Sequence, residues 1–265
     1  VSTWNRRGSL ANLIESVRRN TRSLYELIVY DNQSSDGTAD YLRTIQSDLP
    51  ELGVVCSHGH RSTIRAYKLL FQLAQGELMG ALADDIEVLP GWDEALLEES
   101  QRPGGVGEVT PLILSPDGTI RHTASCIPYM SRKHEWMNAH GRVPIRSGVQ
   151  PAEAGLPAES IVVEGGAYPF ARREVFMKTS MVDGRYLHVW DNDLALEIRS
   201  SGLSNKLCAA SRVVDHARSS DQVIVRGETE HGLSERLYLD PTRAMELIRG
   251  GSTAALRYFH DDLLH

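Results

Sequence analysis

The chain has 265 residues, of which 41% are hydrophobic and 24% charged, values that fit a globular protein rather than a disordered one. Its 28 basic residues are outnumbered by 35 acidic ones, a net charge of −7, which argues against nucleic acid as a main partner. No apolar run approaches the roughly 18 residues that span a bilayer. Three separated cysteines predict neither disulfides nor a zinc site, and a reducing cytoplasm is their simplest setting.

The first hundred residues alternate short apolar strands with amphipathic helices. In chain order the pattern predicts a strand end at 1–3, a helix at 9–20, a strand at 26–30, a helix at 38–47, a strand at 53–57, a helix at 62–75 and a strand at 78–83. The first strand is short, so we expect residues before it, and no signal-peptide pattern opens the chain. Four strands separated by helices predict a mostly parallel, Rossmann-like α/β sheet flanked by helices.

The second half is less regular. Its predicted elements are a strand at 106–114, a turn at 115–118, a long loop at 130–160, a strand at 162–167, a helix from 172, a helix at 191–200 and a strand at 206–214. The long loop, with His134, Trp136 and His140, is either a lid over a substrate or a floppy insertion. Residues 221–265 look helical and polar, and dimerisation is one possible role for them.

Two aspartates, Asp84 and Asp85, follow the fourth predicted strand, and ligands of such sheets bind beyond the carboxyl ends of the strands. Adjacent carboxylates repel each other unless a cation lies beside them. Mn²⁺ or Mg²⁺ binds well to one or two carboxylates together with substrate phosphates. The pair therefore indicates either a divalent-metal site or two solvated loop aspartates. His216, at the end of the last strand, is either a metal ligand or an ordinary histidine.

Two further polar segments are candidates for chemistry. Trp190-Asp191-Asn192-Asp193 opens an apolar helix, so its carboxylates either cap that helix or include a general base, for which Asp191 is the candidate. The stretch Asp31–Thr38 follows the second strand. Asp31 either accepts hydrogen bonds from a nucleobase or ribose, or only shapes a turn. Tyr168 and Trp190 either stack on a sugar or aromatic acceptor or belong to the core.

These motifs, in this order, resemble the family 2 glycosyltransferases of the GT-A fold, and in particular their rhamnosyltransferase-like branch. The segments that carry the resemblance are Val1–Arg6, Asp31–Thr38, Ala83–Trp92, Val109–His122, Asp191–Gly202 and His216. The resemblance implies a single GT-A catalytic domain at 1–220, with a nucleotide-binding half at 1–100 and an acceptor-binding catalytic half at 101–220. Residues 221–265 would form a helical extension.

The resemblance also implies a role for each matched position. The resemblance places Thr3, Asn5, Asp31 and Asp84 at the nucleotide, and we expect Arg6 and Arg61 to bind it as well. The positions expected at the divalent metal, Mn²⁺ or Mg²⁺, are Asp85 and His216. The catalytic base would be Asp191. The resemblance places Glu164, Gly165 and Gly166 beside the donor and acceptor sugars, and we expect Trp190 there as well because its ring could stack on a sugar. Asp84 would touch either ribose or metal.

Three positions depart from the family pattern. Ala83 stands where an acidic or amide residue is common, and Trp190 stands where a glutamate usually precedes the catalytic aspartate. Lys68 replaces an asparagine, so Lys68, Arg61 or Arg65 could instead reach the diphosphate. These departures do not affect the predicted reaction class, but they leave the identity of the sugar and of the acceptor undetermined.

The sequence thus predicts a cytoplasmic, inverting, metal-dependent glycosyltransferase of the hexosyltransferase type. Its donor would be a UDP-sugar, with a dTDP-sugar as the alternative, and its acceptor a hydroxyl or amine on a small natural-product intermediate or a glycan. A catalytically silent sugar-nucleotide-binding protein and a nucleotidyltransferase are the rivals. The latter is disfavoured because Trp4-Asn-Arg-Arg-Gly8, with one glycine, follows the first strand where a glycine-rich phosphate loop would be expected.

Overall fold

The structure is a computed structural model that describes residues 1–59, 63–122, 148–156, 160–163, 165–179 and 190–216. The predicted lid therefore lies outside the described residues except for 148–156 and 160, and the predicted C-terminal extension lies outside them entirely. None of the helices within these ranges is long and apolar enough to cross a membrane.

A three-stranded parallel sheet forms the first part of the fold. Its strands, in spatial order, are β1 (Ser2–Thr3), β2 (Leu27–Asp31) and β3 (Leu52–Cys56). The helices that follow these strands are α1 (Arg7–Asn20), α2 (Thr38–Gln46) and α3 (Thr63–Leu73). Helix α1 buries Leu10, Leu13 and Val17 on one face, as their helical spacing predicts. The predicted α/β organisation of this part is confirmed.

A seven-stranded mixed sheet forms the rest. Its strands are β4 (Leu78–Gly80), β5 (Ile86–Val88), β6 (Val106–Leu114), β7 (Ile120–His122), β8 (Ile161–Val163), β9 (Phe170–Arg172) and β10 (Ser204–Asp215). Its helices are α4 (Trp92–Ser100), α5 (Arg173–Phe176) and α6 (Trp190–Ser200). The order is β4-β9-β6-β10-β5, with β7 on β6 and β8 on β10. Strands β6 and β10 are parallel, and the other pairs are antiparallel.

Strand β6 is the centre of this sheet. All nine of its residues are buried, which is typical of a strand covered on both faces. Helices α4 and α6 both pack on β6 and β10. Gly107 makes room for α6, because a Cβ there would lie 2.2 Å from Cγ2 of Ile198. In addition, Nδ2 of Asn205 donates a hydrogen bond to the carbonyl oxygen of Ala195 at 3.0 Å. Packing and hydrogen bonding together fix α6 over the sheet.

Several elements differ from the sequence prediction. The fourth predicted strand is shorter, and within the described residues its hydrogen-bonded neighbour is the antiparallel β9, not a strand of the parallel sheet. Gly80 permits this pairing, because a Cβ there would lie 2.1 Å from Cδ1 of Phe170. Strands β5, β7 and β9 and helix α4 were not predicted, and Arg172, where a helix was predicted to begin, is the last residue of β9. Residues 86–88 form a strand because they pair with β10, which lies far along the chain.

Candidate active site

Asp84 and Asp85 lie beside the end of β1, although they are some 80 residues away in sequence. Oγ1 of Thr3 donates a hydrogen bond to Oδ2 of Asp84 at 2.7 Å. Nη1 of Arg6 lies 2.5 Å from Oδ2 of Asp85 and 3.5 Å from Oδ1 of Asp84. We call these four residues the carboxylate cluster. The structure thus brings together four predicted site residues, from the end of β1, the turn after it and the segment between β4 and β5.

Burial controls the charge of Asp84. The residue is only 7% exposed, and burial raises the pKa of its carboxyl from 3.8 to about 6. The hydrogen bond from Thr3 and the charge of Arg6 lower this pKa, whereas the negative charge of Asp85 raises it further. The cluster therefore carries negative charge that its protein surroundings offset only in part, an electrostatic setting that favours an added cation.

We expect the free energy of unfolding contributed by Asp84 to fall as the pH rises from about 4 to about 6. Between these pH values the folded protein binds more protons than the unfolded chain. The stabilising contribution of Asp84 is therefore complete below the unfolded pKa of 3.8 and is lost as the pH rises through the folded pKa of about 6. The whole change is of the order of 3 kcal/mol. Asp84→Asn removes this pH-dependent contribution. Denaturant unfolding in EDTA should therefore show the stability of the variant rising relative to that of the wild type as the pH rises.

Asp117→Asn is the matched control for this titration. Hydrogen bonds from the hydroxyl and backbone of Thr119 lower the pKa of the exposed Asp117. Its stabilisation is therefore present above the unfolded pKa and lost as the pH falls. The difference in free energy of unfolding from the wild type should therefore change with pH in opposite directions for the two variants. A difference between Asp84→Asn and the wild type that stays constant from pH 4 to 7 would contradict the assignment.

The turn after β2 brings Asp31 and Asn5 to the same edge of the parallel sheet. Asp31 is buried, and its Oδ1 accepts a hydrogen bond from the backbone N–H of Ser34 at 3.3 Å. Asn5 has a positive φ of 54°, and its Oδ1 accepts a hydrogen bond from the N–H of Ser35 at 2.7 Å. The backbone N–H of Asn5 donates to Oγ of Ser34 at 2.9 Å. These bonds lock the turns after β1 and β2 together.

His216 reaches the same region through its backbone. Its N–H donates to the carbonyl oxygen of Asp85 at 3.0 Å, which extends the pairing of β5 with β10. The imidazole contacts another residue, however, because its Nε2 lies 2.9 Å from Oε2 of Glu87. Sequence reasoning did not find Glu87. Its position two residues after Asp85, on the same face of a strand, was the available signal.

The oxygen atoms of the carboxylate cluster suit a divalent cation in part. Oxygen ligands suit Mn²⁺ and Mg²⁺, and Asp84 and Asp85 supply carboxylates that substrate phosphates would supplement. Within the described ranges, however, no three His, Cys, Asp or Glu side chains are already grouped as a metal site. For His216 to join Asp85 as a ligand, its imidazole would have to turn away from Glu87.

The Gly165–Gly166 strip lies against β6 and α6 with no room for side chains. A Cβ at Gly165 would lie 2.4 Å from Cβ of Ala195. The N–H of Gly166 donates to Oε1 of the fully buried Glu108 at 2.9 Å. Sequence reasoning also missed Glu108, for which the signal was a charged residue within an apolar strand. The strip is therefore held rigidly between the central strand and the helix that carries Asp191.

Gly166→Ala is expected to destabilise the protein by about 1–3 kcal/mol, the usual cost of overpacking. The new Cβ would lie 2.3 Å from Oγ1 of Thr110 and 2.6 Å from its Cβ and Cγ2. Gly8→Ala is the control, because a Cβ there meets nothing within 4 Å on helix α1. It should leave stability unchanged or raise it by up to about 1 kcal/mol. Equal urea midpoints for the two variants would contradict this packing.

Several predicted site residues lie outside the described part of the chain. Arg61 and Glu164 do so entirely, and for Trp190 and Asp191 only the backbone, at the start of α6, is described. Tyr168 packs against the hydrophobic core, which favours the core interpretation of that residue. Burial, followed by the negative charges of Asp215 and Asp85, raises its pKa above the ordinary value.

A cavity of about 1200 Å³ lies between β2 and β4, lined mainly by apolar side chains such as Ile28, Leu70 and Phe170. None of the residues of the carboxylate cluster lines it. Its volume would suit a ligand, but the charged residues in its lining, Glu26, Glu51, Glu77 and Asp93, are all acidic, which disfavours the phosphates of a nucleotide. We therefore place the candidate site at the cluster rather than at this cavity.

The sequence of the chain matches the family model described as Glycosyl transferase family 2 over residues 1–149, more than half its length. The chain belongs to this family, which confirms the predicted class of enzyme, a glycosyltransferase. A curated relative, the O-antigen biosynthesis protein RfbC of Myxococcus xanthus, is 28% identical over 170 residues. That alignment covers 62% of this chain and 13% of RfbC, so the chain spans a small part of that relative's length.

Solved structures confirm the GT-A fold. GalNAc-T7, crystallised with UDP, GalNAc and Mn²⁺, aligns over 90% of this chain and 46% of its own, with a TM-score of 0.65 and 17% identity. The mannosyltransferase PcManGT from Pyrobaculum calidifontis, in complex with GDP-Man and Mn²⁺, aligns over 99% of this chain and 72% of its own. Its TM-score is 0.59 and its identity 13%. At these identities the similarity concerns the fold alone.

Proposed function

We propose that this chain is the catalytic domain of an inverting, metal-dependent glycosyltransferase that transfers a sugar from a nucleoside diphosphate to a hydroxyl or amine. The observation that carries the proposal is the carboxylate cluster at the sheet edge, in a chain of glycosyl transferase family 2. We place UDP first as the nucleotide, with dTDP as the alternative. The nucleotides and Mn²⁺ in the two solved relatives support a nucleotide-sugar donor and a divalent ion.

The residues at the edge of the parallel sheet would bind the nucleotide. The buried Asp31 presents a carboxylate to ribose or base, and Thr3 holds Asp84 in a fixed orientation. Arg6 supplies a guanidinium for the diphosphate, a pairing that is often bidentate. Asp85 and His216 would hold a divalent ion, which would supply charge neutralisation for the leaving diphosphate.

The second half of the chain would present the acceptor. Asp191, at the start of α6, would remove the proton from the attacking hydroxyl or amine. Attack from the face opposite the diphosphate inverts the anomeric carbon. The Gly165–Gly166 strip, tightly packed against α6, would form a rigid floor beside donor and acceptor.

Among acceptors, a glycan is supported by the name of the RfbC relative, which concerns O-antigen biosynthesis. A small natural-product intermediate remains the alternative proposal. We place the enzyme in the cytoplasm, which the free thiols of Cys56 and Cys208 support. A homodimer also remains a proposal.

Calorimetry with UDP, dTDP and GDP, each with Mn²⁺ and with EDTA, tests the proposed donor class. We expect one nucleotide, UDP first, to bind tightly with Mn²⁺ and weakly after chelation. Absence of binding by all three would overturn the proposed function. Binding without any turnover of a matching sugar donor, across hydroxyl and amine acceptors, would instead indicate a catalytically silent sugar-nucleotide-binding protein.

A further inference from the structure

Arg6 contacts both aspartates of the carboxylate cluster from the solvent side. Its Nη1 is 2.5 Å from Oδ2 of Asp85 and 3.5 Å from Oδ1 of Asp84. Each aspartate side chain is 10% exposed, whereas that of Arg6 is 36% exposed. The carboxylates are thus largely withdrawn from water, whereas the guanidinium that pairs with them is partly exposed.

A divalent cation that bound both carboxylate oxygens of Asp85, or Oδ2 alone, would need the oxygen that Arg6 holds. Mg²⁺ and similar ions bind carboxylate oxygens at about 2.0–2.1 Å, closer than the guanidinium nitrogen. Two cations within a few ångströms of each other at one partly buried oxygen repel strongly. The guanidinium and a metal ion at this oxygen are therefore competitors rather than partners.

The backbone on either side of Arg6 is anchored by hydrogen bonds, so the Arg6 side chain can move while the backbone stays in place. Asn5 is hydrogen-bonded to the turn after β2 at Ser34 and Ser35. The N–H of Arg7 donates to Oδ2 of Asp36 at 2.9 Å. Arg6 lies between these anchors, directly before α1, with its guanidinium partly in solvent. Rotation about its side-chain bonds would move the guanidinium away from Asp85.

We propose that Arg6 is an exchangeable counter-ion that couples metal binding to nucleotide binding. Arg6 holds Asp85 until a nucleoside diphosphate attracts the guanidinium, and a divalent cation then takes the vacated carboxylate oxygen. Arginine suits this exchange because its planar fork pairs with both carboxylates and phosphates. By linkage, the nucleotide raises the affinity for metal by the same factor as the metal raises the affinity for nucleotide. This inference rests on the proposed function.

Mn²⁺ titrations followed by electron paramagnetic resonance, without nucleotide, test the proposal directly. Arg6→Ala should bind Mn²⁺ about tenfold more tightly than the wild type, because a competing positive charge is removed. The Mn²⁺ affinity of Arg6→Lys should lie between those of Arg6→Ala and the wild type. Arg7→Ala is the matched control, since it removes the same charge one residue away, where the guanidinium lies over the ring of Tyr41. It should bind Mn²⁺ like the wild type.

Repeating the titrations with saturating UDP measures the coupling. UDP should raise the Mn²⁺ affinity of the wild type by a larger factor than that of Arg6→Ala. Equal or weaker nucleotide-free Mn²⁺ binding by Arg6→Ala, folded by circular dichroism, would overturn the inference while leaving metal dependence intact. If Arg6→Ala does not fold, Arg6→Lys decides by the same criterion. Failure of the wild type to bind Mn²⁺ even with UDP would overturn both the inference and the proposed metal dependence.

Discussion

Asp191→Asn is expected to lower the turnover number by about 10²-fold or more while leaving nucleotide binding unchanged. Loss of a general base typically costs 10²–10⁴-fold in rate, and the amide cannot accept the acceptor's proton. Asp191 lies in the first turn of α6, and Asn205 together with the buried Leu194 and Ile198 holds that helix on β10 and β6. The measurement is steady-state turnover of a sugar donor, with calorimetry of UDP and Mn²⁺ alongside.

Asp193→Asn provides the control on the same turn of the same helix. It removes a carboxylate from the helix N-terminus, where either aspartate favours the helix by a few tenths to about 1 kcal/mol. Its turnover should stay near that of the wild type. If Asp191→Asn keeps near-normal turnover, Asp191 is not the base. If Asp193→Asn is the slower of the two, the roles of these carboxylates are reversed.

Asp85→Ala is expected to abolish the dependence of donor binding on metal. Losing an outer-shell partner of a metal already costs about 10–100-fold in affinity, and loss of a direct carboxylate ligand should cost at least as much. Because Asp85 also holds Arg6, the variant frees that guanidinium for the diphosphate. Weak, metal-independent UDP binding should therefore persist. Calorimetry with Mn²⁺ and with EDTA should give the same affinity for the variant.

Asp40→Ala is the matched control for Asp85→Ala. Asp40 is exposed on α2 and pairs with Arg43 of its own helix, a kind of surface ion pair that contributes about 0–1 kcal/mol to stability. The Mn²⁺ dependence of UDP binding should survive this change. A wild-type-like response to Mn²⁺ in Asp85→Ala would remove Asp85 from the proposed metal site.

The edge of the sheet where the site lies was predictable because a fold rule determines it. Carboxyl ends of parallel strands meet at one edge, so the sequence positions of Thr3 and Asp31 sufficed to place them together. Asp84 joins them through its hydrogen bond with Thr3, although β4 itself pairs elsewhere. The polar residues after each strand could therefore be found without knowing how every strand pairs.

Contacts between segments that are distant in sequence were not predictable, because they depend on how the chain packs in three dimensions. Strand β5 has only three residues, and its extended conformation comes from pairing with β10. Local propensity carries little information about so short a segment. The contact of His216 with Glu87 depends on the same pairing. The buried Glu108 is explained by the backbone of Gly166, which the sequence does not show to be near.

The insertion of β10 between β6 and β5 has a consequence for how the chain folds. His216 and Glu87 are 129 residues apart in sequence, and contacts between such distant residues form slowly. During synthesis the segment with Asp84 and Asp85 leaves the ribosome long before β10 exists. Until then β5 and β6 each present an unpaired edge, the kind of edge that promotes association between chains. Strand β10 thus serves both as part of the site and as protection against aggregation of the nascent protein.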